Sequence, residues 1–225
     1  MSRLTGLSSM ATRNVLADLA REYEQRRGVR VDIRSMGGVE AAKLARAGEA
    51  TDIVVLASKV MGALEAEGHL KKGETRDFAR SEIGMAVPVG SALPSVADEQ
   101  AVRQAALNAR KICYSTGPSG DHLKALCEKW GAPLSRALVA PPGVPVAALV
   151  ANGEADLGFQ QLSELIDQPG IQIVGPLPRE IQVVTVFSAG ISTISRNPEG
   201  ARAFLAYLAS AETRDAKRRH GMEPA

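Results

Sequence analysis

The fold of this chain is decided by one short stretch, Tyr114-Ser115-Thr116-Gly117-Pro118-Ser119-Gly120-Asp121. Residues 111–114 before it form a short apolar run typical of a buried strand. After it, apolar residues recur with the spacing of one helix face, at Leu123, Leu126, Cys127 and Trp130. Ser119 is predicted to cap this helix, which ends at Gly131. A strand that turns into a helix in this way presents unpaired N–H groups and a positive dipole end, so it favours an anion.

Composition limits the classes of function. The chain has 225 residues, of which 45% are hydrophobic and 4% aromatic, and its formal charge is +2. Few aromatic residues and a small charge argue against a nucleic-acid partner. No apolar segment has secretory or membrane-spanning length, which predicts a cytoplasmic protein without membrane insertion, or a periplasmic one if a leader was removed. The sequence predicts neither a metal ion nor a cofactor, and it leaves the oligomeric state open.

The two cysteines do not suggest a disulfide. Cys113 ends a predicted strand, and Cys127 lies on the apolar face of the following helix. We expect both thiols to be reduced and buried.

Strand and helix patterns alternate twice along the chain. Predicted strands at 4–7, 29–33 and 53–56 are each followed by a helix, and the pattern restarts with a strand at 83–89. A capping box at 95–98 is predicted to begin the next helix. Strands at 156–160 and 171–174 and a long apolar run at 181–194 follow. This order predicts an α/β fold with mainly parallel sheets.

Two features near the carboxyl terminus have structural interpretations. The run at 181–194 is interrupted by Ser188, Ala189 and Gly190, which suggests a hinge where the chain crosses between two lobes. Asn197 and Pro198 are predicted to be the N-cap and first residue of the last long helix.

Strand-to-helix turns rich in small or hydroxylated residues occur four times: at Ser8-Ser9, Gly37-Gly38, Ser115 to Gly120, and Pro142 to Val144. One such turn alone is usually an ordinary helix start. Ligands of doubly wound sheets bind beyond the carboxyl ends of the strands. Four such turns therefore predict an anion site built mostly from backbone N–H groups.

The order of elements, together with several short motifs, resembles the type II periplasmic solute-binding proteins, and in particular the molybdate-binding proteins of ABC importers. The motifs are Gly48-Glu49-Ala50-Thr51-Asp52-Ile53-Val54-Val55, Leu157-Gly158-Phe159-Gln160-Gln161, Ala203-Phe204-Leu205-Ala206-Tyr207-Leu208 and Gly221-Met222-Glu223. The resemblance implies a two-lobed α/β fold, each lobe a mainly parallel sheet flanked by helices, with two hinge crossings. It assigns residues 1–81 and 187–225 to lobe 1 and residues 82–186 to lobe 2, with the ligand cleft between them.

The four turns, the residue types and the resemblance together give a set of candidate ligand-binding residues. They are Ser8, Ser9, Arg13, Gly37, Gly38, Ser115, Ser119, Gly120, Val144, Gln160 and Gln161. This chain has glycines in the second turn where the family has serines, and Gln161 where the family has a tyrosine. Arginine, amide groups and free N–H groups suit a planar carboxylate better than a tetrahedral oxyanion, because guanidinium and carboxylate pair in a bidentate manner.

Two classes of function fit these residues. The first is a binding protein that binds a small organic anion, a di- or tricarboxylate, and does not convert it. The second is an isomerase without a cofactor, because the whole chain, and Ser8 to Arg13 in particular, also resembles the aconitate isomerases, which move a proton across the double bond of a tricarboxylate. Glu40 and His122 are the candidate bases if the chain is an enzyme. A transcriptional effector domain is disfavoured, since no DNA-binding helical segment precedes Leu4.

Overall fold

A computed structural model describes residues 3–141 and 143–225. The strands are β1 (Arg3–Ser9), β2 (Arg30–Met36), β3 (Ile53–Ala57), β4 (Leu70–Ser81), β5 (Ile83–Pro88), β6 (Ile112–Tyr114), β7 (Leu138–Val139), β8 (Leu157–Gln161), β9 (Ile171–Pro176), β10 (Thr185–Ser192) and β11 (Glu223–Pro224). The α-helices are α1 (Arg13–Arg27), α2 (Gly38–Arg46), α3 (Ser58–Ala66), α4 (Glu99–Asn108), α5 (Pro118–Trp130), α6 (Val146–Ala151), α7 (Leu162–Leu165), α8 (Pro198–Ala209) and α9 (Arg214–Arg219). The chain forms two compact units, one comprising the residues up to Ser81 together with Val186–Ala225, the other Glu82–Thr185.

The first unit is built on a six-stranded sheet in the order β11-β4-β10-β3-β1-β2. Strands β1, β2 and β3 are parallel, whereas β10 runs antiparallel to β3. Alternate residues of β3 enter different cores: Ile53 and Val55 pack with α1 and α8, and Val54 and Leu56 pack with α2 and α3. Since successive side chains of a strand point to opposite faces, helices cover both faces of this sheet.

The second unit has a five-stranded sheet in the order β7-β6-β8-β5-β9. Strands β6, β7 and β8 are parallel, and β5 runs antiparallel to both β8 and β9. Helix α5 packs on one face through Leu123, and α6 packs on the other through Val146 and Val150. The predicted α/β class is confirmed, and each sheet combines three parallel strands at one edge with antiparallel strands.

Several local predictions were wrong. Residues 70–81 were not predicted as a strand, because β4 is rich in charged residues and its buried apolar residues, Leu70, Phe78 and Ala79, do not alternate along it. Helix α4 begins without the predicted capping box: Asp98 is the N-cap, and its carboxylate accepts the N–H of Ala101 at 2.8 Å. The expected break at 188–190 does not occur, since β10 pairs with β3 from Phe187 to Ile191.

Other local predictions are confirmed. Asn197 caps α8 by accepting the N–H of Gly200 at 3.0 Å, and Pro198 is the first residue of that helix. Both cysteines are free and buried. Burial raises the pKa of Cys113 to about 12 and that of Cys127 to about 11, so both thiols stay protonated at neutral pH. No helix among the described residues is both long enough and apolar enough to span a bilayer.

Asp52, just before β3, forms hydrogen bonds with β1 and with the segment that precedes α8. Its carboxylate accepts the backbone N–H and the hydroxyl of Thr5 on β1, at 2.9 and 3.1 Å. It also accepts the Ser195 hydroxyl at 2.7 Å and the N–H groups of Arg196 and Asn197 before α8. Burial by itself raises the pKa of Asp52, but the hydrogen bonds from Thr5 and Ser195 outweigh it and hold the pKa below its ordinary value.

Lys217 is a buried cation whose effect on stability depends on pH. Its side chain is 1% exposed, its ammonium donates to the carbonyl of Leu208 at 2.7 Å, and it lies 5.8 Å from the centre of the Phe78 ring. Burial, assisted by the charge of Arg214, lowers the pKa of Lys217 to about 8. Between that value and the ordinary lysine pKa, the unfolded chain binds the proton more strongly than the folded chain does, so this lysine makes the free energy of unfolding rise with pH.

We therefore expect Lys217→Met to remove a pH dependence. In the wild type, the Lys217 contribution to the free energy of unfolding should rise by up to about 1.4 kcal/mol per pH unit above pH 8. Urea unfolding of both proteins at several pH values from 7.5 upward measures the difference in slope. Lys71→Met is the control, because Lys71 is only partly buried. Equal slopes for the wild type and Lys217→Met would contradict the account.

Candidate functional site

The carboxyl ends of β1, β2 and β3 lie at one edge of the first sheet, because the three strands are parallel and in register. Each of them leads directly into a helix: β1 into a short 3-10 turn and α1, β2 into α2, and β3 into α3. The first N–H groups of a helix have no partner within the helix. This edge therefore collects unpaired backbone donors and the positive ends of helix dipoles.

Ser9 supplies a buried hydroxyl at this edge. The residue is 8% exposed, and its Oγ makes no hydrogen bond within the described part of the chain. Helix α2 begins beside it: a Cβ placed on Gly38 would lie 3.8 Å from the Cβ of Ser9. No side chain caps α2. A buried hydroxyl without a partner costs about 1–3 kcal/mol, which an anion accepting its proton would recover.

The other predicted residues of the first unit have different environments. The Ser8 hydroxyl is fully buried and is bonded to that of Ser35 at 2.8 Å, so it is already engaged. Arg13 is exposed at the first residue of α1 and forms no ion pair with any residue that the structure describes. Glu40 is exposed in the first turn of α2. Of the two serines, only Ser9 has a hydroxyl available to a ligand.

Sequence reasoning missed the third helix start of this edge, at Ala57 and Ser58. The Ser58 hydroxyl is bonded to Ser188 at 2.5 Å, and both hydroxyls contact the carboxylate of Asp77. These contacts fix the start of α3 against β10. The signal was present, since a buried strand at 53–56 ends immediately before a serine.

In the second unit, α5 begins differently from the prediction. Gly117 is the N-cap, with φ of 101°, and Pro118 is the first helical residue, so Ser119 lies one position inside the helix. Ser119 is 6% exposed, and its hydroxyl makes no hydrogen bond with any described residue. A Cβ on Gly120 would lie 1.7 Å from the carbonyl oxygen of Ser115, so no other residue fits there. The backbone of this turn is thus held close to the helix start.

The two glutamines at the end of β8 have distinct roles. Gln160 is 3% exposed and fully engaged: its Oε1 accepts the N–H of Val146 at 3.2 Å, and its Nε2 donates to Glu164 at 2.8 Å. Gln161 is 4% exposed, and its Nε2 donates to the Thr185 hydroxyl at 2.8 Å. The Oε1 of Gln161 has no partner among the described residues.

The amide of Gln161 can bind either a carboxylate or a hydroxyl group of a ligand. The Thr185 hydroxyl can donate as well as accept, so rotating the amide by half a turn keeps that bond. The open position then presents N–H groups, which suit a carboxylate. In the orientation in which Nε2 donates to Thr185, the open position presents the Oε1 oxygen, which suits a ligand hydroxyl.

The fourth predicted turn contributes fewer donors than expected. The N–H of Val144 donates to the carbonyl of Pro141 at 3.0 Å, so it is not an unpaired donor. Pro142 lies outside the described residues. His122 was a candidate base, and its Nε2 is 2.7 Å from the carbonyl of Ile181. A carbonyl only accepts, so Nε2 carries a proton and donates it there, which leaves Nδ1 as the remaining nitrogen.

Glu164 is a residue that sequence reasoning did not select. It lies on α7, four residues after Gln160, and is partly buried. Burial raises the pKa of its carboxyl to about 7, although the hydrogen bond from Gln160 acts in the opposite direction. A carboxyl that titrates near neutral pH is unusual and often marks a functional site. Within the described residues, no group of three or more His, Cys, Asp or Glu side chains is placed to hold a metal ion.

Comparison with known proteins agrees with the predicted resemblance. Residues 4–223 match the family model described as bacterial extracellular solute-binding protein. A protein from Pseudomonas sp. described as aconitate isomerase is 37% identical over 234 residues, covering 100% of this chain and 88% of that protein.

Two solved structures have the same fold. The periplasmic molybdate-binding protein of Azotobacter vinelandii superposes with a TM-score of 0.79 at 22% identity, over 97% of this chain and 98% of that one. The substrate-binding domain of a molybdenum ABC transporter protein from Clostridium difficile gives 0.76 at 18% identity, over 100% of both chains. The predicted type II periplasmic binding protein fold is thereby confirmed.

Proposed function

This chain belongs to the family of bacterial extracellular solute-binding proteins, and we propose that within this family it binds a di- or tricarboxylate and isomerises it. The family implies a small anionic ligand. The identity of that anion and its conversion are the new parts of the proposal. The observation that carries them is the 37% identity to the aconitate isomerase, which extends over the whole chain.

The available donors support an anion as the ligand. The first unit offers the Ser9 hydroxyl and the uncapped start of α2. The second offers the Ser119 hydroxyl, the start of α5 and the amide of Gln161. Each set, taken by itself, consists of N–H and O–H donors of the kind that a carboxylate group of a polycarboxylate needs.

The residue types support a carboxylate over a tetrahedral oxyanion. The second turn has Gly37 and Gly38 in place of hydroxylated side chains, so it offers backbone N–H groups alone. The exposed guanidinium of Arg13 forms no ion pair with any described residue and is free to pair with one carboxylate of a ligand. Gln161 adds a planar amide.

We therefore expect calorimetry to detect binding of trans-aconitate, cis-aconitate or citrate, and much weaker binding of molybdate. Each buried donor that molybdate leaves unpaired costs about 1–3 kcal/mol. Two such donors make the affinity for molybdate about 100-fold or more weaker than that for a polycarboxylate. Sulfate is the control for general anion binding. Micromolar binding of molybdate with no heat from any polycarboxylate would rule out the proposed ligand class.

A second candidate function is binding without turnover. It is favoured by the environments of the two bases predicted from sequence: His122 has its Nε2 bonded to Ile181, and Glu40 is exposed. Proton NMR of a polycarboxylate that calorimetry has shown to bind separates the two functions. An isomerase changes the spectrum of the ligand, whereas a plain binding protein leaves the ligand unchanged.

A further inference from the structure

Glu164 is a carboxyl group of the second unit that lies on α7, three residues after Gln161. Helix α7 follows directly on the two glutamines that end β8, at the carboxyl edge of the second sheet. We propose that Glu164 is the general base that moves the proton, a role that rests on the proposed function. The role is supported by how the carboxylate is held, by what surrounds it and by its neighbour Gln161.

The carboxylate is held by one oxygen and open at the other. Oε1 of Glu164 accepts the Nε2–H of Gln160 at 2.8 Å, and the same amide is fixed by the N–H of Val146. Among the described residues, no hydrogen bond is made by the other carboxylate oxygen, and the side chain is partly exposed. A base needs this combination of fixed orientation and one lone pair free for the proton that it removes.

The elements that make most of the contacts with α7 contribute no charge to the surroundings of Glu164. They are β5, β8 and α6, with the sequences IGMAVP, LGFQQ and VAALVA, none of which has an ionisable side chain. The ionisable residues that adjoin α7 are acidic: Glu82, whose carbonyl accepts the N–H of Leu162 at 2.8 Å, and Asp167. The carboxylate is therefore desolvated without being neutralised by an ion pair. A base in such a setting is stronger than an exposed glutamate, which agrees with a pKa of about 7.

Gln161 is placed to hold the substrate while the proton moves. Its unpartnered amide group is buried at the residue before α7 begins. The uncapped start of α5 supplies further N–H donors in the same unit. Helix α5 follows β6, the strand that pairs with β8. Groups of this kind stabilise the negative charge that a carboxylate accumulates when a proton leaves the carbon next to it.

The chemical step needs only the substrate and this base. Glu164 removes a proton from the methylene carbon of the tricarboxylate, and the electron pair of that C–H bond becomes a new C=C bond. The π electron pair of the original C=C bond moves to the carbon of that bond that lies farther from the methylene group. This carbon takes the proton back from the carboxylic acid of Glu164. One C–H bond breaks and one forms, and no atom or electron is gained or lost.

The test compares turnover with binding in Glu164→Gln. This change keeps the shape and removes the base. It should lower the rate of trans-aconitate isomerisation, followed by proton NMR, by about 100-fold or more, while calorimetry shows trans-aconitate binding retained. In the wild type, the rate should fall as the pH drops through about 7, because the base becomes protonated. Glu128→Gln, at an exposed position of α5, is the matched control and should keep full activity.

The other outcomes separate this role from the function itself. Turnover in Glu164→Gln within about tenfold of the wild type would overturn the role of Glu164, because a general base contributes more than that. Loss of turnover in Glu40→Gln or His122→Gln, with full activity in Glu164→Gln, would assign the proton transfer to those residues instead. Absence of turnover in the wild type with every polycarboxylate that binds would overturn both the isomerase and the role of Glu164.

Discussion

Replacing Gly38 with Asp is expected to weaken polycarboxylate binding by about 100-fold or more, equivalent to about 2.7 kcal/mol, without destabilising the protein. Gly38 is the first residue of α2, and the nearest described atom to an added Cβ is the Cβ of Ser9 at 3.8 Å, so a side chain fits. An aspartate there places its negative charge beside the Ser9 hydroxyl, where the charge of the ligand is proposed to lie. Calorimetry measures the affinity and thermal unfolding measures the stability.

The effects of this substitution on binding and on stability should have opposite signs. A carboxylate in the first turn of a helix interacts favourably with the helix dipole, by about 0.3–1 kcal/mol, so the melting temperature should stay the same or rise. Gly38→Asn is the matched control, because it has the same size without the charge. If Gly38→Asp and Gly38→Asn bind trans-aconitate equally well, the start of α2 is not part of the site.

Replacing Asp52 with Ala is expected to destabilise the first unit strongly. It removes the acceptor of hydrogen bonds from Thr5, Ser195, Arg196 and Asn197. Each hydrogen bond to a charged acceptor contributes about 1.5–3 kcal/mol, and the donors share one partly buried site, so the total loss should be about 3–5 kcal/mol. Urea unfolding monitored by circular dichroism measures it.

The contribution of Asp52 also has a predicted pH dependence. Because its folded pKa is depressed, its contribution is fully present above the ordinary aspartate pKa and is lost as the pH falls through the folded value. The difference in stability between wild type and Asp52→Asn should therefore shrink below about pH 4. Asp215→Asn, on the exposed surface of α9, is the control and should show little change at any pH. A difference for Asp52→Asn that stays constant down to pH 2.5 would contradict this role.

The order of elements was predictable because burial imposes periodicity on the sequence. Strand β3 and helix α5 have apolar patterns of the right length, and the Asn197-Pro198 pair marks a helix start by its own chemistry. Strand β4 was missed because its polarity gives no such pattern. Gly190 was interpreted as a hinge, but a Cβ there would lie 2.8 Å from the Cε of Met61, so packing explains the glycine.

The candidate site was predictable to the level of turns and not to the level of individual side chains. The rule that ligands bind beyond the carboxyl ends of strands locates Ser9, Gly38 and Ser119 from sequence alone. Whether a hydroxyl is free depends on tertiary partners, which is why Ser8 and Ser9 appear equivalent in the sequence and differ in the structure. Glu164 gives no signal in the sequence, because its unusual pKa arises from burial, which depends on how β5, α6 and β8 pack around α7.

Proton NMR of trans-aconitate mixed with the purified wild-type chain shows directly whether the protein is an isomerase. We expect the vinyl and methylene resonances of trans-aconitate to decline while those of cis-aconitate appear, at a rate proportional to protein concentration and without added metal or cofactor. An unchanged spectrum, from protein that calorimetry shows to bind molybdate and no polycarboxylate, would contradict this expectation.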